Sequence, residues 1–159
     1  MRVLGIDPGT MVTGFGIVDD IRGKLSPVDY GTIEGKRKDS FQDRLKIMFD
    51  GLNKAIEDYK PDQVALESAF YGKSVKAAIK IGEARGVAIL CAALAGIPLF
   101  EYAPTEIKRA VVGIGNAQKV QVSKMVKILL SLSEVPEKYD TTDALAIAIC
   151  HCHRMKLTV

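Results

Sequence analysis

The sequence has little cysteine, no leader, no long apolar run and little net charge, and each shortage excludes a class of protein. Cys91, Cys150 and Cys152 are an odd number. Met1 and Arg2 run straight into a short apolar strand, so the charged-then-apolar pattern of a secretory leader is missing. Together these point to a reducing, cytoplasmic setting. No uninterrupted apolar run reaches the roughly 18 residues that a membrane span requires. The longest candidate, residues 86–100, is bounded by Arg85 and Glu101 and broken by Pro98, so no membrane association is expected. A net charge of +3 permits a nucleic-acid partner without demanding one, because a basic face matters more than the sum. Internal repeats, low-complexity tracts and linkers are also absent, and residues 1–159 are expected to form one domain.

What is present is ordinary globular material, 48% hydrophobic and 26% charged. A chain of this length buries roughly 70% of its unfolded surface and needs no staple. Residues 3–7 read as a buried strand stopped by Pro8-Gly9, followed by a glycine-rich strand over 12–18 and a third over 28–33. Short connections make these an antiparallel meander. Phe41, Leu45, Met48, Phe49, Leu52 and Ile56 recur at helical spacing, and that helix ends near Lys60-Pro61. A strand over 64–67, a long helix over 74–95 and a short strand over 99–102 follow. Two helical stretches flank residues 113–116, and a last helix begins near Asp140. The expected fold is α/β: a five-stranded mixed sheet with helices on both faces, a three-layer α/β/α sandwich.

Strand alternation puts Val3, Gly5 and Asp7 on one face and Leu4 and Ile6 on the other. Asp7 thus ends an apolar strand, a costly place for an unpaired charge. Glu67 repeats the pattern after Val64-Ala65-Leu66. Asp140 and Asp143, at i and i+3, share one face of a first helical turn. Taken alone, Asp140 reads equally as an N-cap and Asp143 as an acid at the positive end of a helix, and Asp7 as an Asx-turn residue. Taken together, four carboxylates repel unless protons or cations neutralise them, and the usual solution is a hard divalent metal. Two such ions about 3.5–4 Å apart activate a water and stabilise the leaving oxygen of a phosphodiester. The chemistry expected is in-line attack by water, leaving a 5′-phosphate and a 3′-hydroxyl. It needs no nucleophilic side chain, and the sequence holds no convincing Ser-His or Cys-His set.

Further motifs join these acids. Gly5-Ile6-Asp7-Pro8-Gly9-Thr10 precedes Thr13-Gly14-Phe15-Gly16, and Ala65-Leu66-Glu67 precedes Gly82-Glu83-Ala84-Arg85-Gly86. Val111-Val112-Gly113-Ile114-Gly115 and Asp140-Thr141-Thr142-Asp143-Ala144-Leu145-Ala146 complete the series. In this order and spacing, over almost the whole chain, the sequence resembles the RuvC-type Holliday-junction resolvases, a branch of the ribonuclease-H-like superfamily. The resemblance implies a homodimer that binds a four-way DNA junction and nicks two opposing strands symmetrically. It makes Asp7, Glu67, Asp140 and Asp143 the metal ligands, for two Mg2+ per subunit with Mn2+ as a possible substitute. Some relatives carry histidine at the last position; aspartate here keeps the set all-carboxylate. The resemblance also implies work alongside the RuvA–RuvB branch-migration complex.

Phe70 lies three residues beyond Glu67, and an aromatic there stacks on an unpaired base for roughly 1–3 kcal/mol. By resemblance it is the wedge at the junction; otherwise it plugs the core, and Tyr71 is open between the two. Lys73, Lys76 and Lys80 form a basic stripe at the start of the long helix, and Lys108 and Lys119 match basic positions near the family's active site. All five are expected to contact DNA, whereas Lys36-Arg37-Lys38 reads as a solvated face. The long helix carries more apolar surface than one sheet face requires, and Gly82 and Gly86 allow close approach of another helix. It packs either inside the monomer or across a two-fold interface.

Two other readings compete. Gly-Ile-Asp-Pro-Gly-Thr also resembles the first phosphate loop of the sugar-kinase and actin-like ATPases, but those need a second lobe. Residues 113–119 are no Walker A, lacking its spacing and the Ser or Thr after the lysine. Cys150-His151-Cys152-His153 suggests zinc, yet helical neighbours point about 100° apart and do not converge on one ion. Cys150 is expected in the core, with His151 and His153 at the surface or partly buried. A non-catalytic junction-binding protein is the remaining alternative, and retention of all four acids opposes it.

Overall fold

Alternation along the first strand sets the layering. In the computed structural model, which describes residues 1–68 and 74–156, β1 (Arg2–Asp7) is the central strand of five. β2 (Val12–Ile21) pairs antiparallel on one side of β1, and β3 (Lys24–Glu34) pairs antiparallel with β2. On the other side β4 (Gln63–Glu67) and β5 (Leu99–Tyr102) run parallel. The order β3-β2-β1-β4-β5 is a mixed five-stranded sheet, as the sequence predicts. Leu4, Ile6, Ile17, Val64 and Leu66 face α1 (Phe41–Tyr59) and α2 (Val75–Leu94), joining Met48, Leu52, Ala84 and Ala88 in one core. Val3, Val18 and Ala65 face the opposite way, toward α3 (Pro104–Val112), α4 (Lys119–Leu129) and α5 (Tyr139–Lys156).

Local chemistry explains most boundaries. The Ser40 hydroxyl caps α1 by accepting from the Asp43 N–H at 3.2 Å. Lys60 ends that helix in the left-handed region, its N–H bonded to the Ile56 carbonyl at 2.9 Å, just before Pro61. The Ser74 hydroxyl caps α2 and Pro104 opens α3. Two boundaries depart from expectation. β2 and β3 extend to Ile21 and start at Lys24, joined by the two-residue turn Arg22-Gly23 with φ of 53° and 91°. That is the positive-φ pair a tight hairpin requires. The polar outer ends of these strands hid it. β3 is an edge strand, and Pro27 sits in it opposite a register shift at Ile17/Val18, the setting in which a sheet tolerates proline. Second, α5 begins at Tyr139, so Asp140 lies inside its first turn and is not its cap.

The face of β1 and β2 that meets α5 is paved with glycine. A Cβ on Gly5 would stand 2.1 Å from the Ala144 carbonyl oxygen, and one on Gly14 1.9 Å from that of Asp140. Gly16 pairs with Gly5 across the sheet, and Gly14 pairs with Asp7. α5 therefore rests its backbone directly on the two strands. Leu145, Ile147 and Ile149 of that helix are fully buried, each contributing about 1.5–3 kcal/mol of apolar burial. Among the described residues no helix is long and apolar enough to cross a membrane.

Gly14→Ala and Gly5→Ala each drive a methyl into backbone and should cost about 3 kcal/mol or more. Gly16→Ala meets the Leu145 side chain at 2.7 Å and its backbone nitrogen at 3.0 Å, a looser backbone contact than the other two, and should cost less, about 1–2 kcal/mol. Urea denaturation ranks the three. Equal losses would mean the glycine paving does not set the seat of α5.

Candidate active site

Asp7 and Glu67 end two adjacent parallel strands whose preceding residues, Ile6 and Leu66, are register partners. Both acids belong to the alternation set that faces α5. The close seat of α5 lays the Asp140 backbone on Gly14, the partner of Asp7. One turn on, Asp143 reaches the same cleft. Asp7, Glu67, Asp143, Lys108 and Lys119 line a cavity of about 310 Å³, walled on its apolar side by Ile107 and Val122. Asp140 is half-buried beside it and does not line it.

Charge in the cleft is poorly compensated. Burial, then the negative charges of Asp143, Glu67 and Asp140, push the Asp7 carboxyl up to about 7, with Lys119 pulling the other way. Burial and Asp143 likewise raise Glu67, opposed by Lys119, Lys108 and Arg85. The Lys119 ammonium donates to Asp143 Oδ2 at 2.9 Å, a bond that holds it above the ordinary lysine value. It also lies 5.7 Å from the centre of the Tyr139 ring. Among the described residues no three His, Cys, Asp or Glu side chains stand close enough to cage an ion as they are. The donor set nevertheless fits a hard divalent cation. Its oxygens are all carboxylate, and burial together with the neighbouring carboxylates leaves Asp7 taking up protons near neutrality. Asp7, Glu67 and Asp143 would hold such a cation from the cavity wall, with Asp140 beside them.

The remaining predicted residues fall elsewhere. Phe70 and Lys73, with Tyr71, lie outside the described residues. Lys76 is exposed on α2 and Lys80 is half-buried, its ammonium 5.2 Å from the Phe41 ring centre; neither lines the cavity. Gly82 and Gly86 are exposed, and among the described residues nothing lies within 4 Å of an added Cβ on either. Cys150 and Cys152 are buried against α3 and α4. His151, expected near the surface, is fully buried with Tyr102 Oη 2.6 Å from its Nδ1 and Gln63 Oε1 at its Nε2. Burial lowers its pKa to about 4, so the ring is neutral. His153 Nδ1 donates to the Ala110 carbonyl at 3.0 Å. These four side chains are committed to packing and not to a shared ion. Arg85, which sequence reading met only as part of a motif, is buried and bonded to the Glu67 carbonyl. An arginine between Ala84 and the apolar second half of the helix was the available signal.

A family model described as crossover junction endodeoxyribonuclease RuvC matches residues 3–151. The chain is 50% identical over 153 residues to the crossover junction endodeoxyribonuclease RuvC of Pelobacter propionicus, covering 96% of this chain and 86% of that one. It is 48% identical over 153 residues to that of Caldanaerobacter subterraneus subsp. tengcongensis, covering 96% and 93%. Thermus thermophilus RuvC, solved in complex with Holliday junction substrate, superposes with a TM-score of 0.93 at 30% identity, covering 99% and 96%. The yeast mitochondrial Holliday junction resolvase, 15% identical with a TM-score of 0.68 and covering 95% and 78%, shares the fold.

The raised Asp7 carboxyl has a stability consequence. Below about pH 4 the group is neutral folded or unfolded and costs nothing. As pH climbs toward 7 the unfolded chain ionises first, so the native state loses ground, fully so above about 7. Metal-free Asp7→Asn should therefore be more stable than the parent at pH 8, by on the order of 3 kcal/mol, and equal to it near pH 4. Added divalent ion should stabilise the parent more than the variant. Thermal melts across that range check both; a gain that does not change with pH would refute the burial of charge.

Proposed function

The chain belongs to the crossover junction endodeoxyribonuclease RuvC family, and on that premise we propose how it resolves a Holliday junction through Asp7, Glu67, Asp140 and Asp143. Its ribonuclease-H-like sheet supports the reading by ending β1 and β4 in acids beneath the first turn of α5. The observation that carries it is the shared cavity of Asp7, Glu67 and Asp143 with Lys108 and Lys119. The four acids bind divalent metal, Mg2+ in the first instance, two ions per subunit, with Mn2+ able to replace it. When bound, the metal supplies a water of lowered pKa and positive charge at the leaving oxygen. Lys119 gives up its bond to Asp143 and, with Lys108, meets the charge of the scissile phosphate. Water enters in line, leaving a 5′-phosphate and a 3′-hydroxyl. Phe70 stacks on an unpaired base at the crossover. Lys73, Lys76 and Lys80 hold the backbone of an adjoining arm.

Two opposing strands are nicked symmetrically because the enzyme is a homodimer. The outward face of α2 supports this. Ile79, Ile89, Leu90 and Leu94 are exposed there beside Gly82 and Gly86, which have open space around them. Apolar side chains with glycine between them suit close contact with the same helix of a second copy. The RuvA–RuvB branch-migration complex is the partner proposed from family membership, delivering the junction.

A synthetic four-way junction incubated with Mg2+ should acquire paired, religatable nicks, while linear duplex of the same sequence should not. Asp7→Asn should abolish nicking and keep junction binding at least as tight, since a charge opposing phosphate is lost. Simultaneous loss of binding and folding would make Asp7 structural. Gly82→Leu should leave the protomer folded but monomeric in sedimentation at micromolar concentration. A variant that remains dimeric would move the interface away from α2.

A further inference from the structure

We propose that Arg85 is a positioning residue for Glu67, gripping the end of β4 from inside α2 and thereby making the placement of that carboxylate depend on the seat of the helix. The inference rests on reading Glu67 as a metal ligand and deepens it.

Arg85 is out of place by composition. α2 is apolar over much of its length, and Arg85 sits one residue from Ala84 and three from Ala88, both fully buried. At 8% exposure it is, among the described residues, the one buried side chain with a permanent charge. A well-packed aliphatic residue there would cost less, since taking a guanidinium out of water is repaid only by well-placed partners. Its partners are specific. Nη1 donates to the Glu67 main-chain carbonyl, and Nη2 donates to Glu101 Oε1 at 2.6 Å. The planar fork thus spans β4 and β5 at their C-terminal ends, a geometry lysine cannot copy.

The grip falls on the last peptide of the strand, whose N–H the sheet holds and whose carbonyl Arg85 holds. Leu66 pairs with Glu101 and Glu67 with Tyr102, and the Ser68 N–H makes a further bond to the Tyr102 carbonyl at 2.8 Å. Glu67 is the last residue of its strand. Its carbonyl takes its bond from a side chain on the opposite layer. Fixing that carbonyl fixes the Cα from which the carboxylate projects into the cavity. Groups that hold a metal ligand from behind are typically worth about 10–100-fold in metal affinity or rate.

The same helix carries the outward-facing Gly82 and Gly86, three residues before Arg85 and one after it. A displacement of α2 is therefore felt at the Glu67 carbonyl directly through Arg85, beside the apolar packing of the helix on β4.

Mn2+ binding to the whole protein without DNA, followed by the electron spin resonance of free Mn2+, tests this apart from activity. Arg85→Lys keeps the charge and loses the fork. It should stay dimeric, bind the junction within about twofold of the parent, and bind Mn2+ about 10-fold more weakly. Nicking at saturating metal should fall by a similar factor. Glu101→Gln keeps the bond to the Glu67 carbonyl and should show a smaller loss of metal affinity than Arg85→Lys. A parent-like Mn2+ midpoint in Arg85→Lys, whether or not its melting temperature drops, would overturn the proposal. Glu67→Gln in the same titration separates the two ideas. Unchanged affinity there removes Glu67 as a ligand. Weakened affinity there beside an unaffected Arg85→Lys removes only the role of Arg85.

Discussion

The backbone of α5 lies against the backbone of β1 and β2, and the rest of the site depends on that contact. Side chains of ordinary size on the sheet would hold a helix about 10 Å away. Gly5, Gly14 and Gly16 remove them, so the carbonyls of Ala144 and Asp140 occupy the space that Cβ atoms would fill. Only with the helix lowered in this way do acids far apart in the chain share one small cavity. The glycine paving is thus a device for concentrating charge. It works because the buried aliphatic side chains of α5 join the core shared with Val3, Val18 and Ala65 of the sheet and with α3 and α4.

Concentrated charge opposes the fold that creates it. Asp7 is half-buried, ends a core strand and feels three other carboxylates, and its proton affinity rises accordingly. Lys119 offsets part of this by bonding Asp143, yet it is the more exposed of the two, and such a pair contributes little to stability. The cleft is left short of positive charge. A site tuned for the fold would place an arginine there, as the protein does elsewhere with Arg2 on Asp19 and Arg85 on Glu101. Among the described residues the cations that line the cavity are Lys108 and Lys119, single-point charges that would leave space for a cation and a phosphate. The same shortage of compensation that weakens the folded state would favour a divalent metal at these carboxylates.

Much of this was legible in the sequence because period-two alternation is a strong code. It assigned Asp7 to the face of Val3 and Gly5, while the glycines after Thr13 read only as a glycine-rich strand, and their role as the seat of α5 came from the structure. The helix stop near Lys60 followed from Lys60-Pro61, and Ser74, read as the start of the long helix, is its cap. What stayed hidden was long-range. Nothing local distinguishes Asp140 as a cap from Asp140 one residue inside a helix, since either suits an acid at a positive helix end. The Arg22-Gly23 hairpin was masked by Asp19, Asp20 and Lys24, whose polarity reflects an exposed sheet edge and not a loop. His151 looked superficial because histidine usually is. Its burial depends on Tyr102 and Gln63 from two neighbouring strands meeting its ring. Lys80 reads as part of a basic stripe until Phe41 of α1 is found beneath its ammonium.

α2 then has two separate duties on one cylinder. Its inner face packs on β4 and contributes Arg85 to the end of that strand, while its outer face leaves glycines and aliphatic side chains uncovered. Small residues facing outward invite an approach close enough to restrict the helix, and a restricted helix holds Arg85 still. A two-fold partner on that surface would stabilise both cavities at once, because the contact is shared equally by the two copies. For an enzyme that must make matched cuts in opposing strands, tying the geometry of each acid cluster to assembly has a clear physical sense. A lone protomer would keep its carboxylates on a less firmly held strand end, and so would be a poor nuclease before it met any substrate.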